Sequence, residues 1–214
     1  MATLTVYPGA GGNDGIVSST NATYLTARAG SGLVVSDTSG VPNVGQLNIL
    51  GNYSCYEMFV QFDTSALGAS AIVSAASLKL VLISDSSTND FTNEARISNW
   101  GASLTTADWV AGASLSALTS VATLSTSGIG ATDSYKTFAE NGTNFQTNIS
   151  LTGTTYLLID SSRHVAGNVP GANVSEFVGW EATERNAGTS TDPKIDITYT
   201  LPANITKMML MGIQ

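Results

Sequence analysis

Between Tyr56 and Ser84 the chain reads YEMFVQFDTSALGASAIVSAASLKLVLIS, and this run constrains the fold more than any other. Tyr56, Met58, Val60 and Phe62 recur at every second position, then Phe62-Asp63 opens a short turn. Beyond the turn, Ile72, Ala76, Leu78, Leu80 and Leu82 share one face in the same way. Successive side chains of a β-strand point to opposite faces, so the spacing predicts two strands that each bury one side. Val73, Val81 and Ile83 on the other face predict that the second strand is covered on both sides in its latter half.

The same period recurs along the chain. Residues 3–7 alternate and stop at Pro8 and a glycine cluster from Gly9 to Gly15. Residues 23–29 and 46–50 read as two short strands flanking a turn-rich stretch from Gly30 to Gly45, and 91–98 reads as another. Thr105 or Thr106 is placed to cap one helical turn holding Asp108 and Trp109. Residues 114–124 fit a strand or an irregular segment. Phe145, Ile149 and Leu151 alternate, followed by Thr155–Asp160, Val174–Ala182 and the clean alternation of Ile195, Ile197, Tyr199 and Leu201. About ten strands with turns between them predict an all-β fold: a jelly-roll-like antiparallel β-sandwich over residues 1–202, with one short helical turn.

Composition narrows the function. The 214 residues suit one sandwich, which at this size buries roughly 70% of its unfolded surface. Charged residues are only 11%, and Lys and Arg number eight against sixteen Asp and Glu, a net charge of −8. That balance has no basic stripe for nucleic acid. A surface with few charges loses little desolvation energy on packing against neighbours, which favours a subunit of an assembly and a homo-oligomer. The opening MATLTVYPG has neither the basic nor the apolar segment of a secretory leader, and no run is apolar enough to span a bilayer. Synthesis in a bacterial-type cytoplasm without membrane insertion is the expectation.

The candidate chemical groups are few. Cys55 is alone and reads as a core thiol. His164 follows Ser161-Ser162-Arg163, but without a nucleophile-elbow pattern it reads as an exposed loop histidine rather than a hydrolase base. Glu181 and Glu184 with Asp160 offer a carboxylate pair of the glycosidase type, yet such groups more often face solvent or bond to turns. Asp85 to Asp90 places oxygens at alternate positions, but Asp90 and Arg96 stand where a calcium loop needs glycine and glutamate. No cofactor and no catalytic or metal residue is therefore expected; a loose structural calcium site, with Asp14 and Asp63 as further ligand candidates, is the weak alternative. Trp100 and Trp109, in a loop region, are the candidates for stacking on a sugar ring, with packing under the loop as the commoner role; Trp180 reads as core.

After Pro202 the chain reads Ile205-Thr-Lys-Met-Met-Leu-Met-Gly-Ile-Gln. Met208, Met209, Leu210, Met211 and Ile213 would be a liability in water, so residues 203–214 are either an extra edge strand or an apolar arm that binds a neighbouring subunit.

Phe62-Asp63-Thr64-Ser65-Ala66-Leu67, followed by Ala71 to Leu80, resembles the aromatic-Asp turn and following strand of disaggregatase-related (DNRLRE) and TGF-β-propeptide-like jelly-roll modules. Val6-Tyr7-Pro8 with Asp14, and Phe177–Glu181 with Pro193 to Tyr199, resemble the opening and closing sections. The arginine that usually precedes the turn is missing from Glu57 to Gln61, and the middle with Trp100 and Trp109 matches loosely. The resemblance implies a jelly roll and a generally non-catalytic role, either as a structural domain of tailed phages or as a carbohydrate-binding module. With the apolar segment, it makes a phage capsid decoration protein on the virion, contacting the major capsid protein, the leading expectation. Adhesion to surface glycans is the alternative.

Overall fold

The computed structural model describes residues 1–9, 13–186 and 190–202. The described residues form thirteen strands in a single sheet: β1 (Ala2–Val6), β2 (Asp14–Asn21), β3 (Leu33–Ser36), β4 (Asn43–Ile49), β5 (Asn52–Asp63), β6 (Ile72–Ser87), β7 (Thr92–Ile97), β8 (Ser120–Ser125), β9 (Ser134–Thr137), β10 (Ala139–Glu140), β11 (Thr154–Ser161), β12 (Val174–Trp180) and β13 (Lys194–Thr200). Every pairing is antiparallel, in the order β1-β13-β6-β12-β4-β5-β11-β7-β8-β10, with β2 on β5, β3 on β2 and β9 on β6. The chain is an antiparallel β-sandwich. One continuous sheet closes over itself, so that β13, β6 and β12 face β5, β11, β7 and β8 across a shared core.

That core is built from the predicted alternation. Met58, Val60 and Phe62 of β5 meet Ala76, Leu78, Leu80 and Leu82 of β6, with Leu157, Ile159, Val178, Trp180, Ile195 and Ile197 filling the space between. Each large apolar side chain enclosed this way stabilises the fold by about 1.5–3 kcal/mol. Val81 is buried as well, so β6 is covered on both sides in its latter half. The fold needs a glycine at Gly45 on β4, which has φ +128°; a Cβ there would lie 2.2 Å from the Glu176 carbonyl oxygen.

Several expectations are corrected. Ile72 is exposed rather than in line with Leu78, because the β6–β13 register slips between Ala75 and Val73, leaving Ser74 as an extra residue. A bulge of this kind flips the face of everything beyond it, so Val73 turns inward and Ile72 outward. Tyr56 is half-buried and sets its ring edge-on to Phe177, outside the main core.

Residues 24–29 form a helix, α1 (Tyr24–Ala29), not a strand. Asn21 accepts from the Thr23 N–H, and Gly30, at φ +96°, ends the helix in the left-handed conformation. Phe145 and Ile149 are four apart about a second helix, α2 (Asn144–Asn148), rather than alternating along a strand. A third, α3 (Ser162–Ala166), carries His164. The single expected turn is there, a 3-10 turn at Thr106–Asp108, where Thr105 accepts from Ala107 N–H and Asp108 accepts from Thr105 N–H. The ambiguous stretch divides into a 3-10 turn, Leu115–Ala117, and β8. β2 begins at the end of the glycine cluster and β3 lies in the turn-rich segment, and neither stretch carried a strand expectation.

Candidate functional site

The outer face of β5 holds Cys55, Glu57 and Phe59, and the matching faces of β11 and β7 hold Leu158 and Asp160, and Glu94 and Arg96. Alternation alone would send these polar groups to solvent. Instead α1, α3 and the segment 98–118 form a lid over this face. Phe59 and Leu158 join Val17, Trp100, Leu104 and Leu115 in a second apolar cluster, and Tyr24, Ala27 and Cys55 make a third.

Within that covered face lies a polar chamber. Glu57 and His164 are both fully buried, with Glu57 Oε1 3.9 Å from His164 Nδ1, beyond hydrogen-bond reach. Glu57 Oε2 accepts from the Val110 N–H at 3.2 Å. The Arg28 guanidinium donates to the His164 carbonyl at 2.7 Å and to the Val165 carbonyl, tying α1 to α3. Trp109 lies 5.5 Å from the His164 ring, centre to centre. Gly112 closes the chamber, since a Cβ there would come within 2.7 Å of His164 Nε2. Glu57 Oε1, both ring nitrogens of His164, Trp109 Nε1 and Asp160 Oδ1 are buried without a hydrogen-bond partner among the described residues.

Burial decides the ionisation here. It pushes the Glu57 carboxyl well above its ordinary range, with Val110 N–H pulling back and Asp160 adding repulsion. It drives the His164 imidazole down to about 3, helped by the Arg28 charge. Burial thus favours the neutral form of both groups. Asp160 is lifted by burial to about 7 against the pull of Arg96, whose Nε donates to it at 2.6 Å. Burial also pushes the Cys55 thiol up to about 12, which leaves it protonated and unreactive at neutral pH.

The expected site residues fall as follows. His164 is a buried helix residue, not an exposed loop histidine, because Arg28 and Gly112 pack directly on it. The neighbouring serines serve the backbone: Ser161 Oγ accepts from Arg163 N–H, and Ser162 Oγ accepts from Thr92 N–H. Asp160 is held by Arg96, Glu181 is buried among Asn186, Thr191 and Arg185, and Glu184 lies beside Asp14, so Asp160 stands apart from the two glutamates. Trp100 is 4% exposed and set edge-on to Phe59 and Tyr156, which leaves no open ring face for a sugar. Trp109 is half-buried between Gly30 and His164. Asp85 folds back on Ser87 at the end of β6; Asp14, buried, accepts from the Thr183 N–H and hydroxyl; Asp63 accepts from Ser65 N–H. No group of three His, Cys, Asp or Glu suited to a metal ion occurs among the described residues. Met208, Met209, Leu210, Met211 and Ile213 lie outside the described residues.

The surface offers a different kind of site. β1 is the last strand on its side of the sheet, and Met1, Ile72 and Leu201 stand exposed around its beginning. A second apolar group, Ile49, Leu50 and Val169, projects from the β4–β5 hairpin and the loop beside it. No described helix is long and apolar enough to cross a membrane. No protein-family model matches the chain, and no curated protein matches it either.

Proposed function

We propose that the chain is a non-enzymatic structural subunit of a virion, a decoration or accessory protein on a tailed-phage capsid that binds the major capsid protein and copies of itself. The observation that carries this reading is the contrast between interior and surface. Cys55, Glu57, Asp160 and His164, the groups best suited to covalent or proton-transfer chemistry, are enclosed beneath a lid, away from any surface at which a substrate would arrive. The surface presents a strand edge that no described residue pairs, several exposed apolar side chains and few charges. Such a surface adheres by burial. The resemblance at Phe62–Leu80 and Phe177–Tyr199 to modules of tailed-phage structural proteins points the same way.

In this role residues 203–214 are an arm that joins neighbouring copies on the shell, with Met208–Met211 and Ile213 as its anchors. The test is co-sedimentation of tagged chain with purified DNA-filled particles in a density gradient. Full-length chain bands with the particles; chain ending at residue 202 folds but stays at the top. Full-length chain that never bands with particles refutes the reading. The alternative, a glycan-binding module, is tested on a glycan array, and it cannot rest on the enclosed ring of Trp100.

A further inference from the structure

Among the described residues the free edge of β1 is less protected than those of β9 and β10, and β3, the other uncharged edge strand, is four residues long. Exposed edges template pairing with other chains, and proteins usually blunt them with charge, proline, a bulge or brevity. β10, at the opposite end of the strand order, has two residues and ends in Glu140; β9 carries Lys136. β1 has none of these devices. Ala2-Thr3-Leu4-Thr5-Val6 is uncharged, β-branched at three positions, and pairs with β13 in unbroken register. Among the described residues nothing pairs with its outer side.

Apolar surface gathers at the same place. Met1 is 94% exposed, Ile72 61% and Leu201 51%. Ile72 pairs with Thr200, and Met1, Ala2, Tyr199, Thr200 and Leu201 line one hollow of about 290 Å³. Residues 203–214 continue from this point and supply Ile205, Met208, Met209, Leu210, Met211 and Ile213.

We propose that residues 203–214 of a second copy add to the outer edge of β1 as a further strand, their apolar side chains covering Met1, Ile72 and Leu201. Topology favours a second copy over the same one. Ala2 pairs with Tyr199, so the chain leaves β13 at the beginning of β1, and both edges of β13 are already taken by β1 and β6. To reach the free edge within one copy, the chain must pass across Met1 and then run parallel to β1, in the weaker ladder geometry. A segment from a facing copy approaches antiparallel. Under a two-fold axis each copy donates and accepts, which closes the assembly. Main-chain hydrogen bonds provide the affinity, and adaptable methionines fill the uneven patch. Charge does not oppose the contact locally: β1 bears none, and Asp196 on β13 is paired with Lys79 at 2.7 Å. The inference stands apart from the virion reading, since exchange needs only this chain.

The test combines light scattering with cross-linking. The full chain has at least twice the solution mass of a chain ending at residue 202, whose melting temperature is unchanged within a few degrees. Cys55 is buried and silent, so single Thr3→Cys and Met209→Cys variants are mixed and oxidised. The mixture yields a disulfide-linked pair of different chains. A monomeric full chain, an oligomer that survives removal of 203–214, or an intrachain link in a dilute double variant each overturns the proposal.

Discussion

Replacing His164 with leucine probes the covered face directly. Neither ring nitrogen has a hydrogen-bond partner among the described residues, so the substitution breaks none of their hydrogen bonds; its cost is the misfit of a branched side chain against Trp109 and Gly112. That misfit, about 1–3 kcal/mol, does not depend on pH. The imidazole does. Its value falls from 6.5 in the unfolded chain to about 3 in the folded one. Below pH 6.5 the unfolded chain takes up a proton that the folded chain refuses, so wild-type stability is full above pH 6.5 and drains as pH falls towards 3. At pH 5 the loss is 1.5 units of proton affinity, about 2 kcal/mol. The variant cannot lose it. Urea unfolding at pH 8 and pH 5 therefore gives a wild-type-minus-variant difference that shrinks by about 2 kcal/mol at the lower pH. Carboxylates remote from His164 are common to both proteins and cancel in that difference. A gap that stays constant between the two pH values would mean that His164 titrates as freely folded as unfolded, and the closed lid would be wrong.

Asp14, beside Glu184, predicts the opposite slope: burial and the neighbouring carboxyl raise it from 3.8 to about 7, so the stability present below pH 4 is lost as pH rises to 7. The loss is up to about 4 kcal/mol, and Asp14→Ala flattens that part of the pH profile measured by urea unfolding. Asp160→Ala leaves the Arg96 guanidinium buried and without that partner, at a cost of about 3–5 kcal/mol in the same assay, while Asp160→Leu with Arg96→Met recovers much of it. Trp100→Ala lowers stability by about 3–5 kcal/mol, as for other enclosed aromatics, and leaves any glycan-array signal unchanged. Gly45→Ala forces a methyl against the Glu176 carbonyl at a positive φ and costs about 2–4 kcal/mol, read as a drop in melting temperature.

Long alternating runs made much of the sheet legible. Met58–Phe62, Ala76–Leu82 and Ile195–Ile197 each bury one face against the other layer, and their period survives because nothing interrupts it. The same logic failed at Ile72, where one inserted residue reverses the phase and leaves no mark in composition. The helices α1, α2 and α3 are five or six residues long, too short for a 3.6-residue period to outweigh alternation. Their punctuation, Asn21 before α1 and Gly30 after it, was the readable signal. The polar chamber was the least legible feature. Glu57 and Asp160 sit where alternation predicts a solvent face, and only the return of residues 24–29, 98–118 and 162–166 encloses them. Burial created by segments distant in sequence cannot be read from local pattern. The free edge of β1 was half visible: its uncharged sequence could be read, its position at the end of the sheet could not.

The most direct test of the central claim, that this sandwich works by adhering to a symmetric shell, is cryo-electron microscopy of particles purified with the chain. The account predicts density for the sandwich at symmetry-related positions, contacting neighbouring shell subunits. Particles whose shells carry no such density, with the chain recovered free in the soluble fraction, would contradict it.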